Sequence, residues 1–210
     1  MKKLNVITCT TGVFRYAWET YVFLNNMREC NLSQNTHVLV WIPYSLTNQK
    51  LDPLWQKITS DFPETEFFFH NDVENFEKFT YIIGYNPLFR PYILSKYFQK
   101  NTYLENEAIF YVDTDILLRR NWKLDDYLHD DVCYLSDTHS YNNGAYFLSK
   151  GEIKDGQPRF VNPLKLEAFQ KRDVLNECMS FCGLTSNIAH ERNGVTGGAQ
   201  YLLKDISFTF

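Results

Sequence analysis

Asp113-Thr114-Asp115 interrupts a run that is otherwise apolar, with Ile109-Phe110-Tyr111-Val112 before it and Ile116-Leu117-Leu118 after it. Unpaired carboxylates in such surroundings cost on the order of several kcal/mol in lost hydration unless something compensates. A divalent cation compensates. Carboxylate oxygens suit hard ions such as Mg²⁺ and Mn²⁺, which commonly keep waters and take their remaining ligands from a phosphate-bearing substrate. Read as one buried strand, the segment puts Asp113 and Asp115 on the same face by alternation, a platform for a metal–diphosphate. The rival reading is a solvated turn or a helix cap, where Asp-x-Asp is common. The flanks carry no Gly, Pro, Asn or Ser, which favours the strand.

The elements that must position this pair read as alternating strand and helix. Leu4–Cys9 is an apolar strand ending in the turn Thr10-Thr11-Gly12, and helical spacing runs from Tyr16 to about Arg28 through Ala17, Tyr21 and Leu24. A second strand covers Thr36–Tyr44, a helix follows from Pro53 to about Ser60, and Glu66–His70 is a third strand. Pro87–Lys100 is an amphipathic helix that leads into the strand carrying the aspartates. Such alternation predicts an α/β domain with a mostly parallel, Rossmann-type sheet and helices on both faces. Ligands of such sheets sit beyond the carboxyl ends of the strands. Thr8, Thr10, Thr11, Asn71, Asp72, Asp113 and Asp115 should all gather at that edge.

The second half reads differently. Val132–Ser136 and Ala145–Ser149 are short strands, residues 164 to about 181 form a helix, and Asn193–Gly198 is a glycine-rich loop before a last strand, Gln200–Lys204. We therefore expect one domain over residues 1–210, with a nucleotide-binding half (1–120) and a smaller acceptor-side half (121–210).

Composition narrows the partners. A hydrophobic fraction of 44% and an aromatic fraction of 17% in 210 residues describe a globular chain with one good-sized core. A formal net charge of −4 gives no electrostatic case for nucleic acid, which calls for a basic face. Cys9, Cys30, Cys133, Cys178 and Cys182 form neither a paired framework nor a zinc pattern. No stretch approaches the roughly 20 apolar residues of a membrane span, and the apolar run after Met1-Lys2-Lys3 is too short for a signal peptide. These features read as a cytoplasmic protein without a membrane span.

Three segments carry a family resemblance. Tyr111-Val112-Asp113-Thr114-Asp115-Ile116-Leu117-Leu118, followed by Trp122-Lys123-Leu124-Asp125-Asp126-Tyr127-Leu128, resembles the motif strand and helical turn of glycogenin-like and lipopolysaccharide-glycosyltransferase-like enzymes. Tyr141-Asn142-Asn143-Gly144-Ala145 is similar to the Phe-Asn-Ser-Gly segment of the same enzymes. Val195-Thr196-Gly197-Gly198-Ala199-Gln200 resembles the Thr-Gly-Asn segment of hydroxyproline arabinosyltransferase-like and peptidyl-serine galactosyltransferase-like proteins. Together they span about half the chain and resemble a GT-A-fold glycosyltransferase of the Asp-x-Asp type.

The resemblance implies roles. Asp115 would ligate Mn²⁺ or Mg²⁺, and Asp113 would bind the ribose hydroxyls or the metal through water, with Thr114 between them. Arg90 would face the diphosphate or sugar, while Thr8 and Thr10 would touch base and ribose. Asn143 and Gly144 would lie under the donor sugar, though Asn-Asn-Gly suits a tight turn into a strand equally well. Gly197, Gly198 and Gln200 are the acceptor-side candidates. His190 is a candidate third metal ligand, and Asp137, Glu177 and Glu191 are candidate catalytic bases. The chain ends soon after Tyr201, where such enzymes continue with more helix, so the acceptor-side half reads as minimal, truncated or completed by a partner chain.

The function expected is transfer of a sugar from a nucleotide-sugar, UDP-linked by default, to a hydroxyl of a glycan, protein or small molecule. A nucleotidyltransferase shares the plan, but would want a Gly-rich, basic loop after the first strand, of which Thr10-Thr11-Gly12-Val13-Phe14-Arg15 is a thin version. A non-catalytic nucleotide- or sugar-binding protein is the rival from another class.

Overall fold

Leu4–Thr11 is buried at every position, as an apolar, Thr-rich segment must be when both of its faces are covered. It is the central strand β1 of a computed structural model that describes residues 3–46, 51–78, 89–119, 124–129, 133–135 and 200–204. In chain order there follow helix α1 (Phe14–Glu29), strand β2 (Thr36–Ile42), helix α2 (Pro53–Asp61) and strand β3 (Glu66–Asn71). Helix α3 (Phe89–Lys100) and strands β4 (Ala108–Tyr111), β5 (Tyr134–Leu135) and β6 (Tyr201–Leu203) complete the order. The Leu124–Tyr127 segment is a short 3₁₀ turn. Apart from Leu135, the described residues belong to one compact unit drawn from residues 1–134 and 200–210.

The sheet has six strands in the order β3-β2-β1-β4-β6-β5. β1 pairs in parallel with β2 and β4, and β2 in parallel with β3. β6 runs antiparallel to β4, with Tyr201 opposite Tyr111. The expected α/β class with a mostly parallel sheet is therefore observed, and a strand from the last ten residues joins the sheet of the first half.

Helices cover both faces. On one face, Ala17, Phe23 and Leu24 of α1 and Trp55 and Ile58 of α2 pack on Val6, Val38 and Phe110. On the other, Phe89, Ile93 and Tyr97 of α3 pack on Ile7, Leu39 and Ile109. Topology accounts for the split. The chain steps outward from β1 to β3, then returns past β1 to β4, and the crossover that reverses direction lies on the opposite face.

Local chemistry sets the helix starts. Asp52 accepts a 2.8 Å hydrogen bond from Leu54 N and is followed by Pro53, a capped start with a preorganised first turn. α1 begins at Phe14 with no side-chain cap, directly after the Gly12 turn. Trp55, fully buried, donates from Nε1 to Gly12 O at 3.2 Å and ties α2 to that turn. Among the described residues no helix is long and apolar enough to cross a membrane.

Candidate functional site

The strand order reverses between β1 and β4, and the crevice beyond the carboxyl ends of those two strands is where open α/β sheets bind ligands. Val112 N donates to Ile7 O at 3.1 Å, which carries the β1–β4 pairing one step past β4 and brings Asp113 out beside Cys9. β1 continues to Thr11 alongside.

One expectation fails here. The aspartates do not lie on a continuous strand: β4 ends at Tyr111, and Ile116 N donates to Asp113 O at 3.3 Å across a turn that contains Thr114 and Asp115. Alternation therefore does not govern the pair. Thr114 is buried, the Asp113 side chain is 15% exposed, and Asp115 is exposed. The reason is desolvation: a strand covered by helices on both faces offers a carboxylate nothing in exchange for water, and the turn returns Asp115 to solvent. The chain beyond the turn is fixed by Asn26 of α1, which donates from Nδ2 to Leu118 O at 3.0 Å and accepts from Leu118 N at 2.7 Å.

Arg90, in the first turn of α3, is the partner of Asp113. Its Nη1 donates to Asp113 Oδ2 at 3.3 Å and lies 3.2 Å from Oδ1, at an angle that leaves Oδ1 without a hydrogen bond among the described residues. Burial pushes the Asp113 carboxyl above its usual range, and the neighbouring Asp115 adds to this. Arg90 pulls the other way without cancelling it. Desolvation thus outweighs the adjacent Arg90 charge at Asp113. Asp115 also acts on exposed Arg15, which bonds Glu19 at 2.9 Å, so the start of α1 borders the same turn. The buried Cys9 thiol and Tyr111 hydroxyl are both pushed up by desolvation, which removes them as bases or nucleophiles near neutral pH.

The site's neighbours share one property. Thr8 Oγ1, Thr10 Oγ1, Thr11 Oγ1, Trp41 Nε1, Tyr111 Oη and Asp113 Oδ1 are buried without a hydrogen-bond partner among the described residues. All belong to β1, to the end of β2, or to β4 and the turn after it. Buried polar groups are nearly always paired, and a cluster that is not calls for a ligand or water. Strand alternation sorts them. Thr8 and Thr10 share the Val6 face with α1, whereas Thr11, Trp41 and Tyr111 share the Cys9 face with α3, where Arg90 also holds Asp113. The proposed nucleotide contacts Thr8 and Thr10 are therefore on the other face of the sheet from Asp113, and meet it only at the rim.

The other expected site residues fall as follows. Gln200, one step beyond Tyr201, continues the β4–β6 register opposite Val112 and so lies off the Asp113 face. Asp72 is buried and accepts from Phe76 N at 2.8 Å and Glu77 N at 2.7 Å, so it caps a turn. Asp137, Asn143, Gly144, Glu177, His190, Glu191, Gly197 and Gly198 lie outside the described residues. Among the described residues no group of three or more His, Cys, Asp or Glu side chains is assembled, and Asp113 and Asp115 are the carboxylates at the crevice. Their chemistry fits a hard cation, with an exposed carboxylate beside a desolvated one whose Oδ1 accepts no hydrogen bond among the described residues.

Thr11, expected at this edge, shares the Asp113 face. Two contributors are absent from the sequence-based candidates. Asn26 clamps the loop after the turn. Tyr201 of β6 stacks on Tyr111 with ring centroids 4.9 Å apart and an interplanar angle of 13°. Tyr201 had a signal: it is a polar aromatic at the start of a strand whose next residue, Leu202, is buried.

No protein-family model matches the chain, and no curated protein or solved structure matches it either.

Proposed function

We propose that this protein is a metal-dependent glycosyltransferase of the GT-A type, which moves a sugar from a nucleotide-sugar, UDP-linked in the first instance, to a hydroxyl acceptor. One observation carries the reading. Buried Thr11 Oγ1, Tyr111 Oη and Asp113 Oδ1, without hydrogen-bond partners among the described residues, lie beside two adjacent carboxylates at the β1–β4 point where the strand order reverses. In this reading Asp115, exposed at the turn, offers its carboxylate to Mn²⁺ or Mg²⁺. Asp113, ion-paired with Arg90, presents Oδ1, which accepts no hydrogen bond among the described residues, to the ribose hydroxyls or to a water of the metal. Arg90 brings fixed positive charge to the crevice that receives the diphosphate, and the Asn26 clamp keeps the turn in place. Bound there, the cation would neutralise the diphosphate leaving group as the sugar–phosphate bond breaks.

A thermal-shift screen of UDP-, GDP-, CMP- and dTDP-sugars, each with Mn²⁺ and with chelator, tests this. Ligand at about 100 times its Kd stabilises the native state by about 2.7 kcal/mol. The expected result is a shift with one nucleotide class that disappears with chelator. A shift indifferent to metal would favour a non-catalytic binder, and no shift with any donor would overturn the reading.

A further inference from the structure

We propose that Tyr201 is the residue that reads the sugar of the bound nucleotide-sugar, an inference that rests on the transferase reading above. The crevice has two sides. On one, β1 supplies Thr11 and the turn at Gly12. On the other, beyond β4, β6 supplies Tyr201, directly opposite Tyr111 on the α3 face of the sheet, the face from which Arg90 of α3 meets Asp113.

A nucleotide-sugar is linear: nucleoside, diphosphate, sugar. With the diphosphate at Asp113 and Asp115 and the nucleoside toward β1, the sugar extends toward β6. Tyr201 meets it there with the chemistry a sugar needs. Its half-buried ring offers a flat apolar face to the C–H face of a pyranose, and its hydroxyl can donate to or accept from a sugar hydroxyl. The stack on Tyr111 fixes the plane of that ring, so the wall is preorganised. Burial together with the nearby Cys9 and Asp113 pushes the phenol up, and Arg90 opposes them, which sets these three groups as its electrostatic neighbours. The phenol stays protonated at neutral pH and serves as a hydrogen-bonding wall, not as a base.

The test is calorimetric titration of the parent, Tyr201→Ala and Tyr201→Phe with UDP, UDP-glucose, UDP-galactose and UDP-N-acetylglucosamine, all with Mn²⁺. Tyr201→Ala should leave UDP affinity within about twofold and weaken the best UDP-sugar about tenfold or more, as expected for loss of about 1.4 kcal/mol of contact to the sugar alone. Tyr201→Phe keeps the ring stack. It should lose about threefold on the sugar nucleotides only, with a changed preference between glucose and galactose, whose difference is the orientation of one hydroxyl. This second variant decides the matter if Tyr201→Ala does not fold. Equal effects on UDP and on UDP-sugars, or no effect on either, would overturn the assignment of Tyr201 and leave the transferase reading standing. A parent that binds no UDP-, GDP-, CMP- or dTDP-sugar would overturn both.

Discussion

The two ends of this sheet both bury polar groups beneath aromatic cover, and they treat them in opposite ways. At the amino end, Tyr97 Oη lies 2.8 Å from Glu66 Oε1 and 2.7 Å from His37 Nδ1, and His37 Nε2 lies 3.2 Å from Asn5 Oδ1. Asn5 donates from Nδ2 to Lys3 O at 3.2 Å, which turns its oxygen toward His37 and assigns the imidazole proton to Nε2. The one Tyr97 proton serves either Glu66 or His37 Nδ1, so every side chain here, though not every atom, has a partner. At the carboxyl end, six buried atoms from Thr8 to Asp113 have no partner among the described residues. A protein leaves such groups unpaired where something else completes them. On the proposed function the amino end is structure and the carboxyl end a site, and substitutions at the two should therefore separate stability from ligand response.

Tyr97→Phe should show the largest stability effect. Removing the hydroxyl strips one partner each from His37 and Glu66, at a cost of about 1–3 kcal/mol, or about 2–4 °C in Tm for each kcal/mol in a chain of this size. The metal-dependent shift with a nucleotide-sugar should be unchanged, as measured in the same thermal scans. Asn26→Ala crosses the divide. It frees Leu118 N and O, should lower stability by about 1–2 kcal/mol in urea unfolding, and should also weaken nucleotide-sugar binding because the turn loses its clamp.

The two ends should also respond oppositely to acid. Burial holds His37 below its usual range, so the unfolded chain takes up a proton near pH 6.5 that the folded one does not. Stability should fall as pH drops below about 6.5, down to the folded pKa, and His37→Gln should remove that slope in a series of melts. Asp113 is raised instead. The folded state takes up its proton first as pH falls, so this group contributes stability on acidification toward its unfolded pKa near 3.9. The smallest effect follows. Asp113→Asn should leave the Tm of the unliganded protein at pH 7 within about 2 °C of the parent, or slightly higher, while donor binding is lost.

The fold was legible in the sequence wherever the signal was local. Runs such as Val38-Leu39-Val40 and Phe67-Phe68-Phe69 announce strands, and Asp52-Pro53 announces a helix start. The α/β class followed from their alternation. The site was legible as residue types and not as geometry. Asp113 and Asp115 stood out because carboxylates in an apolar run need a reason. That same run suggested one long strand, whereas the hydrogen-bond ladder ends at Val112 and the turn places Asp115 in solvent. Thr8 and Thr10 seemed to join the aspartates because both precede a strand end, yet alternation assigns them to the other face. Asn26 and Tyr201 depend on partners 92 and 90 positions distant, and nothing local reports a pairing of that range.

The most direct test is the thermal shift of Asp115→Ala beside the parent, with and without Mn²⁺, using the nucleotide-sugar that stabilises the parent best. Asp115 is exposed, so the unliganded Tm should stay within about 1 °C of the parent. The metal-dependent shift should vanish. A variant that keeps the full shift with Mn²⁺ would contradict a cation site at Asp113 and Asp115, and with it the proposed transferase.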